Sequence, residues 1–191
     1  MLQQKTFSEI EAVQIVYQTL LALKFLHDQN IVHRDIKSDN ILLLKDESGT
    51  GRVVCKICDF GLSSYIDLAS GGLNGFAGTP EYMPPEVIQQ PGNKAFQRPD
   101  PKKVPKITQK ADIFAIGVLT YELLTGHTAF HFACKSSLRL YNAILNKEPL
   151  FNEEIWKRVS SDCVDFIQKC LTKDQTARPS VNELFKHPWF A

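Results

Sequence analysis

His33-Arg34-Asp35-Ile36-Lys37-Ser38-Asp39-Asn40 is the stretch on which the reading of this chain turns. Five ionisable side chains and an amide are crowded into it at the point where the hydrophobic pattern changes period. Upstream, Ile10, Val13, Val16, Tyr17, Leu20, Leu21, Leu23 and Leu26 recur at helical spacing, and Ser8 with Glu11 makes a capping box. One long amphipathic helix is predicted over 8–28. Downstream, Asn40 to Leu44 and Arg52 to Cys58 read as strands, with Lys45 to Gly51 as a hairpin loop between them. The second strand runs directly into Asp59-Phe60-Gly61.

Farther out, neither period holds between Phe60 and Pro85. The glycine-rich run from Ser70 to Gly75 marks that segment as a loop, and its length makes it a functional candidate. A second irregular stretch, 89–107, carries Pro91, Pro99, Pro101 and Pro105 among Lys94, Arg98, Lys102, Lys103 and Lys106, and reads as a basic, solvated insertion. From 108 the chain is helical again. Thr108 is the expected N-cap of an apolar run from Ile113 through Leu124 that ends at Gly126, and further helices are predicted at Lys135 to Asn146, Ser161 to Leu171 and Ser180 to Lys186. The fold class is therefore mainly α with a small β element.

Bulk properties exclude several alternatives. A chain of 191 residues, 43% hydrophobic and 23% charged, suits one globular domain. A net charge of +1 gives no overall reason to expect nucleic acid or an anionic membrane as partner. No stretch approaches the run of about 18 apolar residues that a membrane span needs, and Met1 to Glu11 lacks the pattern of a secretion leader. Cys55, Cys58, Cys134, Cys163 and Cys170 form an odd, scattered set that suits reduced thiols, so the cytoplasm or nucleus is the expected compartment. Cys55 and Cys58 have knuckle spacing, but without a second pair they read as strand cysteines rather than zinc ligands. Trp156, His187 and Trp189 read as packing residues.

The charged stretch, then Asp59-Phe60-Gly61, Gly78-Thr79-Pro80-Glu81-Tyr82 and Pro84-Pro85-Glu86, in that order, resemble eukaryotic-type serine/threonine protein kinases, similar to the calcium/calmodulin-dependent type. The resemblance runs from Phe7 to Phe190 and corresponds to the C-terminal lobe of that fold, with a catalytic loop at 33–40 and an activation segment at 59–86. It implies ATP and Mg²⁺ as cofactors and a protein with a serine or threonine phosphoacceptor as substrate. Asp35 would accept or orient the substrate hydroxyl proton, Asn40 and Asp59 would bind magnesium, Lys37 would approach the γ-phosphate, and Leu42 would floor the adenine. Lysine two residues after the aspartate, together with Thr79 near the phosphoacceptor, implies serine or threonine rather than tyrosine.

Further implied roles are structural. Glu86 and Arg178 would form a buried ion pair, Asp112 would anchor the catalytic-loop backbone, and His33 with Phe60 would stack between the lobes. Pro84 stands where the family usually has alanine, and Phe114 where many members have tryptophan. Arg34 is the residue that pairs with an activation-loop phosphate in such kinases, yet Gly75, Phe76 and Ala77 occupy the usual threonine positions. Either Ser70 is phosphorylated or the loop is ordered without phosphate. No glycine-rich phosphate loop precedes Ser8, so the ATP-binding N-terminal lobe is expected to be largely absent, and that lobe or a regulatory segment becomes an expected partner. On that ground a non-catalytic kinase-like scaffold is the alternative reading, and a small-molecule phosphotransferase a weaker third.

Overall fold

A computed structural model describes residues 6–45, 53–95, 104–152 and 154–191. The hairpin loop expected up to Gly51, and the middle of the basic stretch with Arg98, Pro99, Pro101, Lys102 and Lys103, lie outside those residues. Helix α1 (Glu9–Asp28) is started by Ser8, whose hydroxyl accepts the Glu11 N–H while the Glu11 carboxylate accepts the Ser8 N–H. Its Ala12, Ile15, Val16, Leu20 and Leu23 are buried. Strands β1 (Ile31–Val32), β2 (Ile41–Lys45) and β3 (Val53–Ile57) follow, then β4 (Ser64–Tyr65). β2 and β3 pair antiparallel with Ile41 opposite Ile57 and Leu43 opposite Cys55, and this inward face packs on α1. From α1, the Gln18 side-chain amide bonds the Val53 carbonyl and the Cys55 N–H at 2.8 and 3.0 Å, closing the edge of β3. Burial pushes the Cys55 thiol up to about 11. The short β1–β4 pair, Ile31 with Tyr65 and Val32 with Ser64, has no sequence signal, because two residues per strand are too few for a period.

The helical part is built on α3 (Lys110–Thr125), buried almost all round as its composition requires. It begins two residues after Thr108, whose hydroxyl accepts the Lys110 N–H, and Gln109 occupies the cap position itself. The short helix α2 (Pro85–Ile88) precedes it, and α4 (Ser137–Asn146), α5 (Ser161–Cys170) and α6 (Val181–Leu184) surround it, each of these three started by a serine hydroxyl, Ser136, Ser160 and Ser180 respectively. No helix among the described residues is long and apolar enough to cross a membrane.

One lysine is badly housed. The Lys173 ammonium is buried with no hydrogen-bond partner among the described residues, and lies 4.3 Å from the Phe130 ring centroid and 5.9 Å from that of Phe114. Burial, with some repulsion from Arg178 and a partial offset from Glu148, lowers its pKa to about 8. Below that pH both the folded and unfolded chains carry the proton and the burial cost is fully felt. As pH rises from 8 toward the ordinary 10.5, only the unfolded chain still binds it, so stability climbs. Lys173→Met is therefore expected to stabilise the protein at pH 7 by about 1 kcal/mol, after allowing for partial exposure and the lost ring contacts. The gain should shrink at pH 9.5. A variant no more stable than the parent at pH 7 in chemical denaturation would count against it.

Candidate active site

The 33–40 stretch is held by its backbone before its side chains do anything. Asp112, at the start of α3, takes the His33 N–H on one carboxylate oxygen and the Arg34 N–H on the other, both at 2.9 Å, and His27 Nε2 approaches the first of these oxygens at 2.9 Å. That grip carries Arg34 at φ 71°, a left-handed conformation that costs a non-glycine residue about 1–3 kcal/mol and persists only where surroundings impose it. Asp59 has φ 61° and is steadied by the Gly61 N–H on its Oδ1 at 3.1 Å. Two strained residues thus flank the cleft.

Asp35 is buried and is the hub. Its Oδ1 accepts the Thr79 N–H at 3.1 Å and the Thr79 hydroxyl at 2.6 Å, while its Oδ2 meets Lys37 Nζ at 2.8 Å and the Asn40 amide nitrogen at 3.1 Å. Lys37 Nζ also donates to the Thr79 hydroxyl at 2.9 Å, and Asn40 Nδ2 donates to the Asp35 carbonyl at 2.8 Å. Burial alone would raise the Asp35 carboxyl, but the bonds from Lys37 and Thr79, with the lysine charge and Asn40, outweigh it and hold the pKa below its ordinary 3.8. Thr79 reaches this hub through Gly78 at φ 125°, where an added Cβ would stand 2.9 Å from the Arg34 carbonyl oxygen.

Asp59 reaches the group through the ladder. The Cys58 N–H bonds the Asn40 carbonyl at 2.9 Å, continuing the β2–β3 pairing, so Asp59 emerges one residue beyond Asn40's partner. His33 Nε2 lies 3.2 Å from the Cys58 carbonyl, and the His33 and Phe60 rings meet edge to face at 5.1 Å. The hub gathers Asp35, Lys37, Asn40 and Thr79 directly, and Asp59 by backbone. Leu42 stands apart on the outward face of the hairpin, 40% exposed, with Leu44, Val54 and the half-exposed Phe60 also uncovered.

A second polar group was not legible in the sequence. Ser38, inside the catalytic stretch, and Tyr82 both donate hydroxyl bonds to the Glu122 carboxylate of α3, with burial raising the carboxyl's pKa. These residues lie 40 and 84 positions apart, so only the fold unites them. The ion pair expected between Glu86 and Arg178 is present and bidentate, at 2.7 and 3.1 Å.

Residues 1–190 match the family described as Protein kinase domain. The chain is 37% identical over 187 residues to calcium/calmodulin-dependent protein kinase type I of Schizosaccharomyces pombe, covering 97% of this chain and 50% of that one. It is 34% identical over 183 residues to a calcium/calmodulin-dependent protein kinase of Emericella nidulans, covering 96% and 40%. A calcium and calcium/calmodulin-dependent serine/threonine-protein kinase of Lilium longiflorum is 34% identical over 186 residues, with 97% and 32% covered. The chain spans about half the length, or less, of these curated relatives. With the hub geometry and these likenesses together, the chain belongs to the protein kinase domain family, and the relatives it resembles include serine/threonine kinases of the calcium/calmodulin-dependent type.

Proposed function

We propose that this chain is the catalytic C-terminal lobe of a serine/threonine protein kinase, transferring the γ-phosphate of ATP to serine or threonine hydroxyls of protein substrates. The observation that carries the reading is the Asp35 hub, in which one carboxylate, one ammonium and one threonine hydroxyl are mutually bonded at 2.6 to 2.9 Å. In that arrangement Asp35 orients the incoming hydroxyl and receives its proton, Lys37 offers positive charge to the transferred group, and Thr79 shapes the place where the phosphoacceptor sits.

The residues present fit magnesium and nucleotide. Asn40 spends its amide nitrogen on the Asp35 carbonyl and carboxylate, which leaves its amide oxygen for an outside ligand. Asp59 adds an exposed carboxylate, and both are hard oxygen donors of the kind magnesium prefers. Asn40 and Asp59 would hold the ion, and Leu42 would lie under the adenine. When bound, magnesium neutralises charge on the phosphates.

A non-catalytic scaffold is the second reading, favoured by the apolar outward face of Leu42, Leu44, Val54 and Phe60. The natural full-length chain carrying these residues, given γ-labelled ATP, magnesium and a mixture of serine, threonine and tyrosine peptides, should label serine or threonine only. Chelation of magnesium should abolish the labelling. Label on tyrosine alone would reject the serine/threonine assignment, and no label with full binding of partner protein would reject the kinase reading in favour of the scaffold.

A further inference from the structure

The Arg34 guanidinium, beside the hub, is half-buried; the Asp112 carboxylate offsets part of its charge, and its hydrogen bonds go to neutral oxygens. It donates to the Ser64 hydroxyl at 3.2 Å and to the Gly75 carbonyl at 3.0 Å, and its buried Nε has no hydrogen-bond partner among the described residues. Gly75 stands in the loop where a phosphorylated residue would be sought, and its peptide is gripped from both ends. The Gly75 N–H donates to Gln90 Oε1 at 3.1 Å, while Gln90 Nε2 donates to the carbonyls of Glu86 and Pro105 at 3.0 and 2.7 Å. Gln90 is 1% exposed, just beyond α2. A second tie lies two residues away along each segment, before Gly75 on one and after Pro105 on the other. Leu73 and Ile107 exchange both backbone hydrogen bonds, each at 2.8 Å, so the chain returning from the basic stretch is stitched to the loop. The Ser70 hydroxyl is turned to its own turn, toward the Asp67 and Gly72 carbonyls, rather than to Arg34.

We propose that Gln90 is a positioning residue that holds the activation segment in place of a phosphate, acting with the Leu73–Ile107 bridge. The inference rests on the kinase reading above. Gln90 fixes the Gly75 peptide, Gly75 occupies Arg34, and Thr79, four residues on, is delivered to Asp35. A phosphate would supply three anionic acceptors to the guanidinium. Here one backbone carbonyl and one hydroxyl suffice, because the segment is secured from its far side by a buried amide that satisfies three backbone groups at once.

The test is hydrogen–deuterium exchange of the full-length chain after phosphatase treatment. The amides of Leu73, Gly75 and Ile107 should stay protected, and Gln90→Met should speed exchange across 72–77 by about tenfold or more while α1 and α5 are unchanged. Gly72→Ala is an independent variant, since its Cβ would stand 2.7 Å from the Ile107 carbonyl oxygen at a backbone φ of 138°, and it should release the bridge. In peptide phosphorylation, kcat per folded molecule, with the folded fraction measured by circular dichroism, should fall about tenfold in Gln90→Met with the KM for ATP kept within about twofold; the normalisation is needed because loss of folded protein alone lowers apparent kcat and leaves KM unchanged. Loss of protection in the phosphatase-treated parent would overturn the proposal, as would unchanged exchange in Gln90→Met. A parent that transfers no phosphate would refute the kinase reading, and the exchange result alone would then decide the clamp.

Discussion

Asp35→Ala in the natural full-length chain should lower the rate of peptide phosphorylation by about 10² to 10⁴ while leaving ATP binding nearly intact. The carboxylate accepts four donors, two from Thr79, one from Lys37 and one from Asn40, and alanine strands them all. Asp35→Asn is no gentler, because its NH₂ must face either the Thr79 pair or the Lys37 and Asn40 pair, donor against donor. The depressed pKa bears on how the residue works. A carboxylate held below its ordinary pKa is a weaker base, so on the proposed function its larger contribution would be to hold the hydroxyl in line, with the proton arriving late. It follows that the activity profile should show no acid limb from this group between about pH 5 and 8. Phosphorylation unchanged in Asp35→Ala would reject the assignment.

What the sequence disclosed about this site was the polar groups of the hub, and what it withheld was their support. Asp35, Lys37 and Asn40 lie within six residues, close enough for a motif to be seen, and the adjoining strands are long enough to show their period. Ser8 with Glu11 marks the start of α1 because a capping box is local chemistry. Thr108 was nearly as legible: its hydroxyl accepts the Lys110 N–H, while Gln109, at the cap position with helical dihedrals, makes no side-chain cap and spends its amide on the His27 carbonyl. By contrast Gln18 closing the hairpin edge, Gln90 spanning two loops, and Glu122 under Ser38 and Tyr82 are polar side chains whose partners are backbone or distant in sequence. An isolated glutamine in a sequence carries no sign of which carbonyl it will find. The β1–β4 pair fails for a different reason, since its two rungs are fixed by the turn that follows α1 at Asn30, where φ is 58° and whose carbonyl accepts the Ile66 N–H at 2.8 Å.

Replacing Arg178 with methionine should destabilise the fold by about 3–5 kcal/mol. Arg178 is 0% exposed and all five of its N–H donors are engaged. Nε bonds the Thr172 carbonyl at 2.9 Å, one terminal nitrogen bonds Glu86 and the Lys110 carbonyl, both at 2.7 Å, and the other bonds Glu86 at 3.1 Å and the Lys173 carbonyl at 3.4 Å. Methionine fills much of the volume beneath the Phe114 ring but leaves Glu86, itself 3% exposed, as a lone buried charge beside three unpaired carbonyls. Against a typical total stability of about 5–15 kcal/mol, that is about a fifth or more. The pair joins the end of the 59–86 segment to the helical core, since Glu86 lies in α2 and Arg178 just before α6. Two controls separate the charge from the packing. Glu86→Leu with Arg178→Met removes both charges, and its cost should be well below the sum of the single changes. Arg178→Met should also let the Lys173 pKa climb, because one of the forces lowering it is gone, and the stability gained between pH 7 and 9.5 should shrink. Single variants that cost less than about 1 kcal/mol in chemical denaturation would mean that this pair does not hold the segment to the core.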